Sequence, residues 1–135
     1  VCGHYGCGGV KAATEDLPHG LADHWLEPIR RLARAFAVDL AQQGDDEARR
    51  DKLAELNVVE GVRRVAETPI VQRAWQDRLS MRVHGLIYGL KDGRLRDLDC
   101  TVGPGHFQAE AAQSRESWRS NSLVSPLYSC SLLCI

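Results

Sequence analysis

The chain has 135 residues, of which 44% are hydrophobic, enough for one domain with a modest core. Seventeen Lys and Arg against eighteen Asp and Glu leave a formal charge of −1, so composition favours neither nucleic acid nor an anionic membrane as a partner. No signal-peptide pattern and no apolar run approaching about 18 residues occurs, which argues against export or membrane insertion and for a cytoplasmic protein.

The first eleven residues, Val-Cys-Gly-His-Tyr-Gly-Cys-Gly-Gly-Val-Lys, organise the rest. Val1 and Cys2 read as the end of a buried strand, and the chain reads as helix from Val10. Gly3, Gly6, Gly8 and Gly9 therefore fall at a strand-to-helix switch, where residues without a Cβ permit positive φ and close approach to the backbone. Between them lie His4 and Cys7. A His-x-x-Cys spacing spans about one turn, so an imidazole nitrogen and a thiolate can converge on one Zn2+ at about 2.0 to 2.3 Å. These are two donors where zinc takes about four. A turn with a buried thiol, or a cysteine nucleophile paired with His4, remains open from these residues alone. Cys2 is either strand core or a further ligand, sharing the His4 face of an extended strand. Five cysteines, odd in number and irregular in spacing, favour metal or free thiols over a disulfide framework.

Glu15 to Gly20, with Pro18, reads as a loop. The three- and four-residue spacing of Leu21, Trp25, Leu26, Ile29, Leu32, Ala33, Phe36, Ala37 and Leu40 predicts one helix, capped by Asp23, with Pro28 in its early turns. Arg30, Arg31 and Arg34 fall on its solvated face. Gln42 to Asp46 is a polar break. A second helix follows over about residues 46 to 67, with an apolar face of Leu53, Leu56, Val59, Val62, Val65 and Ala66. Thr68 and Pro69 predict an N-cap and first-turn proline for a shorter helix holding Ile70, Val71, Ala74 and Trp75. Trp25 and Trp75 read as core or subunit contacts. Apolar faces of this extent on a small domain call for a cover.

Met81 to Leu90 predicts a strand with little room at Gly85 and Gly89. Asp92-Gly93 is a hairpin signal, and Arg94 to Thr101 returns as the antiparallel partner. Strand, helices, strand and hairpin make an α/β order: a mostly parallel sheet flanked by helices with an antiparallel edge strand. His84 reads as a hydrogen-bonded structural residue, Cys100 as filler, and His19, His24 and His106 as solvated imidazoles. From Val102 the pattern changes. Gln108 to Arg119 reads as a weak polar helix, and Ser120 to Ile135, with Cys130 and Cys134, has no clear period.

Cys2-Gly3-His4-Tyr5-Gly6-Cys7-Gly8-Gly9-Val10 resembles the second zinc motif of β-class carbonic anhydrases. The resemblance continues through Glu55-Leu56-Asn57-Val58, His84-Gly85, Tyr88-Gly89 and Asp92-Gly93-Arg94-Leu95-Arg96-Asp97-Leu98-Asp99, covering most of residues 1 to 101. It implies reversible hydration of CO2 to bicarbonate on Zn2+, with His4 and Cys7 as metal ligands and the Gly8 N–H facing bicarbonate. It also implies an incomplete β-carbonic-anhydrase-like domain over 1–101 and a homo-oligomer, dimer or larger; residues 102–135, which carry none of the resemblance, read as a divergent, poorly ordered tail. The family's Cys-x-Asp-x-Arg motif, which supplies another thiolate and an Asp–Arg pair, occurs nowhere in these 135 residues. The opening on Val within an apparent strand points to a piece of a longer reading frame. Little or no hydratase activity is therefore expected of this polypeptide alone, and the alternative is a non-catalytic fragment that associates through its helices.

Overall fold

Three short strands and five helices are seen in a computed structural model that describes residues 1–15 and 17–105. In chain order these are β1 (Cys2–His4), α1 (Gly8–Thr14), α2 (Ala22–Ala35), α3 (Ala37–Ala41), α4 (Asp46–Ala66), α5 (Pro69–Gln76), β2 (Leu86–Gly89) and β3 (Arg94–Asp97). The sheet order is β1-β2-β3. β1 pairs with β2 in parallel, Cys2 opposite Leu86 and His4 opposite Tyr88, and β2 pairs with β3 antiparallel. A parallel pair needs a long crossover, which the helices supply. The fold is thus α/β with an antiparallel edge strand, as expected. The helix expected at Gln108 to Arg119 and the tail with Cys130 and Cys134 lie outside the described residues.

Helix α4 is the element against which the sheet is built. Asp45 caps it, its Oδ1 accepting from the Ala48 N–H at 2.8 Å. Asp46 and Glu47 occupy its first turn and Arg63 and Arg64 its last, each sign matched to the helix dipole. Its buried face is Leu53, Ala54, Val58, Val62 and Ala66, while Val59 and Val65 are exposed. The expected stripe stepped by threes and included those two valines. Steps of three lag the helix by about 60° each, so the stripe leaves the face that steps of four maintain. Gly3 and Gly85 let the sheet close on this face. A Cβ on Gly3 would stand 2.5 Å from Val58 Cγ2, and one on Gly85 would stand 2.2 Å from Cys100 Sγ and 3.0 Å from Val62 Cγ2.

The helix expected from Leu21 to Leu40 divides at Phe36, whose φ of −107° and ψ of 24° interrupt the helical path. Asp23 does not cap it. Its carboxylate accepts from the His19 N–H at 2.9 Å and from Arg30 Nη2 at 2.7 Å, and Pro28 lies inside α2. Arg30 is consequently half-buried rather than solvated. Of α2 only Leu26 is buried; Ile29, Leu32 and Ala33 lean on the core, and Leu21 and Trp25 are 94% and 79% exposed. Thr68 precedes Pro69 as expected, but its hydroxyl donates back to the Val65 carbonyl instead of capping α5.

The strand expected over Met81 to Leu90 contracts to β2, with an isolated antiparallel bridge joining Val83 to Val102. The return strand stops at Asp97 rather than Thr101. Asp97 Oδ1 accepts from the Asp99 N–H at 2.9 Å, and Asp99 takes a φ of 53°, so the backbone turns out of the ladder. The Asp92-Gly93 turn forms as predicted, the Gly93 N–H donating to the Gly89 carbonyl at 2.8 Å. No helix among the described residues is long and apolar enough to cross a membrane.

Candidate metal centre

The bend joining β1 to α1 carries His4, Tyr5, Gly6 and Cys7. The Tyr5 N–H extends the ladder by donating to the Tyr88 carbonyl at 3.0 Å. Gly6 then takes a φ of +66°, a conformation open to glycine at no steric cost, and the chain turns into α1. Cys7 is the N-cap residue, but its side chain makes no capping bond, so the thiol is not engaged by the helix it precedes. Helix begins at Gly8, earlier than the expected Val10. Gly8 is exposed in the first turn, where backbone N–H groups lack partners within a helix.

His4 Nδ1 lies 2.9 Å from the Tyr5 carbonyl oxygen. A carbonyl only accepts, so Nδ1 is the donor; in the neutral ring this leaves the lone pair on Nε2, the tautomer that metal-ligating histidines adopt. The His4 ring is exposed, and Cys7 is half-buried beside the core cluster around Val10. An imidazole with its outer nitrogen already bonded and a cysteine free of the helix fit two of the donors that zinc prefers. Among the described residues, no group of three or more His, Cys, Asp or Glu forms a cage. Cys2 is not strand core: it is exposed and its thiol points back to the Gly3 carbonyl at 3.4 Å. The alternation of the strand turns Gly3 toward α4 and leaves Cys2 and His4 on the other face.

The middle of the bend is tied to α4. The Tyr5 hydroxyl donates to Glu55 Oε1 at 2.6 Å, and the Gly6 N–H donates to Asp51 Oδ1 at 3.2 Å. Lys52 Nζ holds the other Glu55 oxygen at 3.1 Å, and the Arg96 guanidinium lies 5.9 Å from the centre of the Tyr5 ring. Burial, then the hydrogen bond and negative charge of Glu55, push the Tyr5 hydroxyl up to about 12. A cavity of about 340 Å³ opens beside Tyr5 and Gly6, bordered by Asp51, Lys91 and Arg96. Lys91 is paired with Glu47 and Arg96 with Asp92, while Asp51 accepts from the Gly6 N–H.

Sequence reasoning quoted Tyr5 and Glu55 only as parts of matching motifs, gave them no role, and did not single out Asp51. The available signal was an i,i+4 pair of carboxylates on the strongest helix, opposite a bend with a single aromatic residue between two donors. His84 is hydrogen-bonded as expected, Nδ1 to Thr101 Oγ1 at 3.0 Å, and Cys100 is half-buried, its thiol pushed up by burial. His19 departs from expectation. Its Nε2 is shielded from solvent and lacks a hydrogen-bond partner among the described residues.

Fold and bend together define an α/β protein that carries a His-x-x-Cys pair at a strand-to-helix turn. Residues 1–95 match the Carbonic anhydrase family, and the chain belongs to the β-class carbonic anhydrases. A carbonic anhydrase of Emericella nidulans is 42% identical over 99 residues, which cover 73% of this chain and 43% of that protein. Among solved structures, the β-carbonic anhydrase CafA of Aspergillus fumigatus is 39% identical with a TM-score of 0.68, covering 87% of this chain and 53% of that one. A tetrameric β-carbonic anhydrase of Sordaria macrospora is 32% identical with a TM-score of 0.69, covering 75% and 51%. The chain thus spans less than half of the curated relative and about half of each structure.

Proposed function

We propose that this chain carries part of a zinc site for the reversible hydration of CO2 to bicarbonate, with His4 and Cys7 as metal donors and the Gly8 N–H directed at bicarbonate. The observation that carries the reading is the His4 Nδ1 bond to the Tyr5 carbonyl, which leaves Nε2 as a donor three residues before an uncommitted cysteine. Zinc, when bound there, supplies a water nucleophilic at neutral pH. The chain's own part is to hold the imidazole in one tautomer, to present a sulfur from the edge of the core, and to offer first-turn amides for an anionic product. With no Cys-x-Asp-x-Arg in the sequence, it supplies two protein donors and no Asp–Arg pair, so little or no hydratase activity is expected of it alone. Elemental analysis of the purified chain tests the metal assignment. Zinc that is lost in His4→Ala and in Cys7→Ser supports it, and a wild-type chain free of zinc overturns it. Rapid zinc-dependent CO2 hydration by the isolated chain in stopped flow would refute the low-activity expectation.

A second reading rests on the exposure of Leu21 and Trp25 on α2. In it the chain associates through its helices, with itself or with a complete homologue, without catalysing hydration. The tetrameric assembly of the Sordaria macrospora enzyme gives this precedent. A monodisperse monomer in sedimentation counts against it.

A further inference from the structure

We infer that Asp51 and Glu55 of α4 are positioning residues for the metal donors, acting on the bend through Gly6 and Tyr5. The inference rests on the zinc reading above and adds to it what sets the relative placement of His4 and Cys7. Only Tyr5 and Gly6 separate those two residues, and each is tied to the same helix: the Tyr5 hydroxyl to Glu55 Oε1 at 2.6 Å, the Gly6 N–H to Asp51 Oδ1 at 3.2 Å. Asp51 and Glu55 are four residues apart and share one face of α4, so a rigid, capped helix fixes both ties at once.

The consequence reaches the donors by short paths. The Tyr5 carbonyl that the Glu55 tie helps to fix is the acceptor that orients the His4 ring. The Gly6 N–H, in a left-handed turn, sits in neither ladder nor helix, and the charged Asp51 oxygen satisfies it immediately before Cys7. Lys52 occupies the second Glu55 oxygen, and Arg96 stands over the Tyr5 ring, so the tyrosine is held between α4 and the hairpin. A bend held at both of its middle residues is pre-organised for a metal, whereas a free one must be ordered as the metal binds.

Zn2+ competition against a chromophoric chelator, together with the visible spectrum of the Co2+-loaded chain, tests this. Tyr5→Phe removes one oxygen and keeps the ring beneath Arg96, and Asp51→Ala and Glu55→Ala remove the two acceptors. Each is expected to weaken zinc binding by about tenfold or more, the usual cost of losing a partner that orients a ligand. Each should also broaden the cobalt bands. Glu55→Gln, which keeps an oxygen acceptor for the Tyr5 hydroxyl, should restore most of the affinity. Thermal midpoints without metal separate this from a purely structural role, which would lower the midpoint and leave the zinc affinity of the folded chain unchanged. If wild-type binding depends on His4 and Cys7 but Tyr5→Phe and Asp51→Ala bind equally well, the positioning role falls and the metal reading stands. If the wild-type chain binds neither ion, both fall.

Discussion

The apolar residues on the inner face of α4 and those on the outer sides of α2 and α5 meet opposite fates in the fold. On α4, Leu53 is fully buried and Val58 and Val62 are 2% exposed, sealed by a sheet whose glycines admit no side chain. On the outer helices, Trp25 is 79% exposed and Ile70 81%. Hydrophobic spacing specifies that a face is apolar, and the close approach of a second element decides whether it is covered. The described chain is self-sufficient at its centre and unfinished at its periphery.

The sharpest way to break that contrast is Leu53→Ala. It leaves a cavity where the sheet and α4 meet and should cost about 2 to 5 kcal/mol in denaturant unfolding. A loss no larger than a surface substitution causes would show that α4 is not the centre. A smaller effect is expected at the rim of the same helix. Arg63 first, with Arg64, holds Glu60 down to about 2. A carboxylate depressed in the folded state stabilises above its ordinary value of 4.5, and that contribution disappears as pH falls toward 2. Glu60→Gln should therefore flatten the acid limb of a stability–pH curve and change little under strongly acidic conditions. Smallest of all, Trp25→Ser should move monomer stability by about 0.5 kcal/mol or less. Its readout is association: if α2 is a contact face, sedimentation should shift toward smaller species, and an unchanged profile assigns the exposed indole no such role.

The bend that carries His4 and Cys7 and the hairpin turn were legible because their signals are local. Gly6, Gly8, Asp92 and Gly93 signal bends by residue type, and the parallel-plus-antiparallel order follows from strand, helices, strand and turn. Other features depend on groups distant in sequence. The end of α2 at Phe36, the pairing of Asp23 with Arg30 and the early stop of β3 at Asp97 come from backbone and side-chain bonds that no periodicity announces. The ties from Tyr5 to Glu55 and from Gly6 to Asp51 belong to that second kind. Spacing within the first eleven residues offers candidate donors, and nothing in that segment names the helix to which the bend is tied.

The register of β1 has a consequence for the order of events during synthesis. Cys2, Gly3 and His4 find their ladder partners in Leu86, Ile87 and Tyr88, near the other end of the described chain. β1 therefore cannot be seated until the chain through Tyr88 has left the ribosome and the intervening helices have collapsed. Contacts of such sequence separation form late, so on the zinc reading proposed above ion capture follows compaction rather than nucleating it.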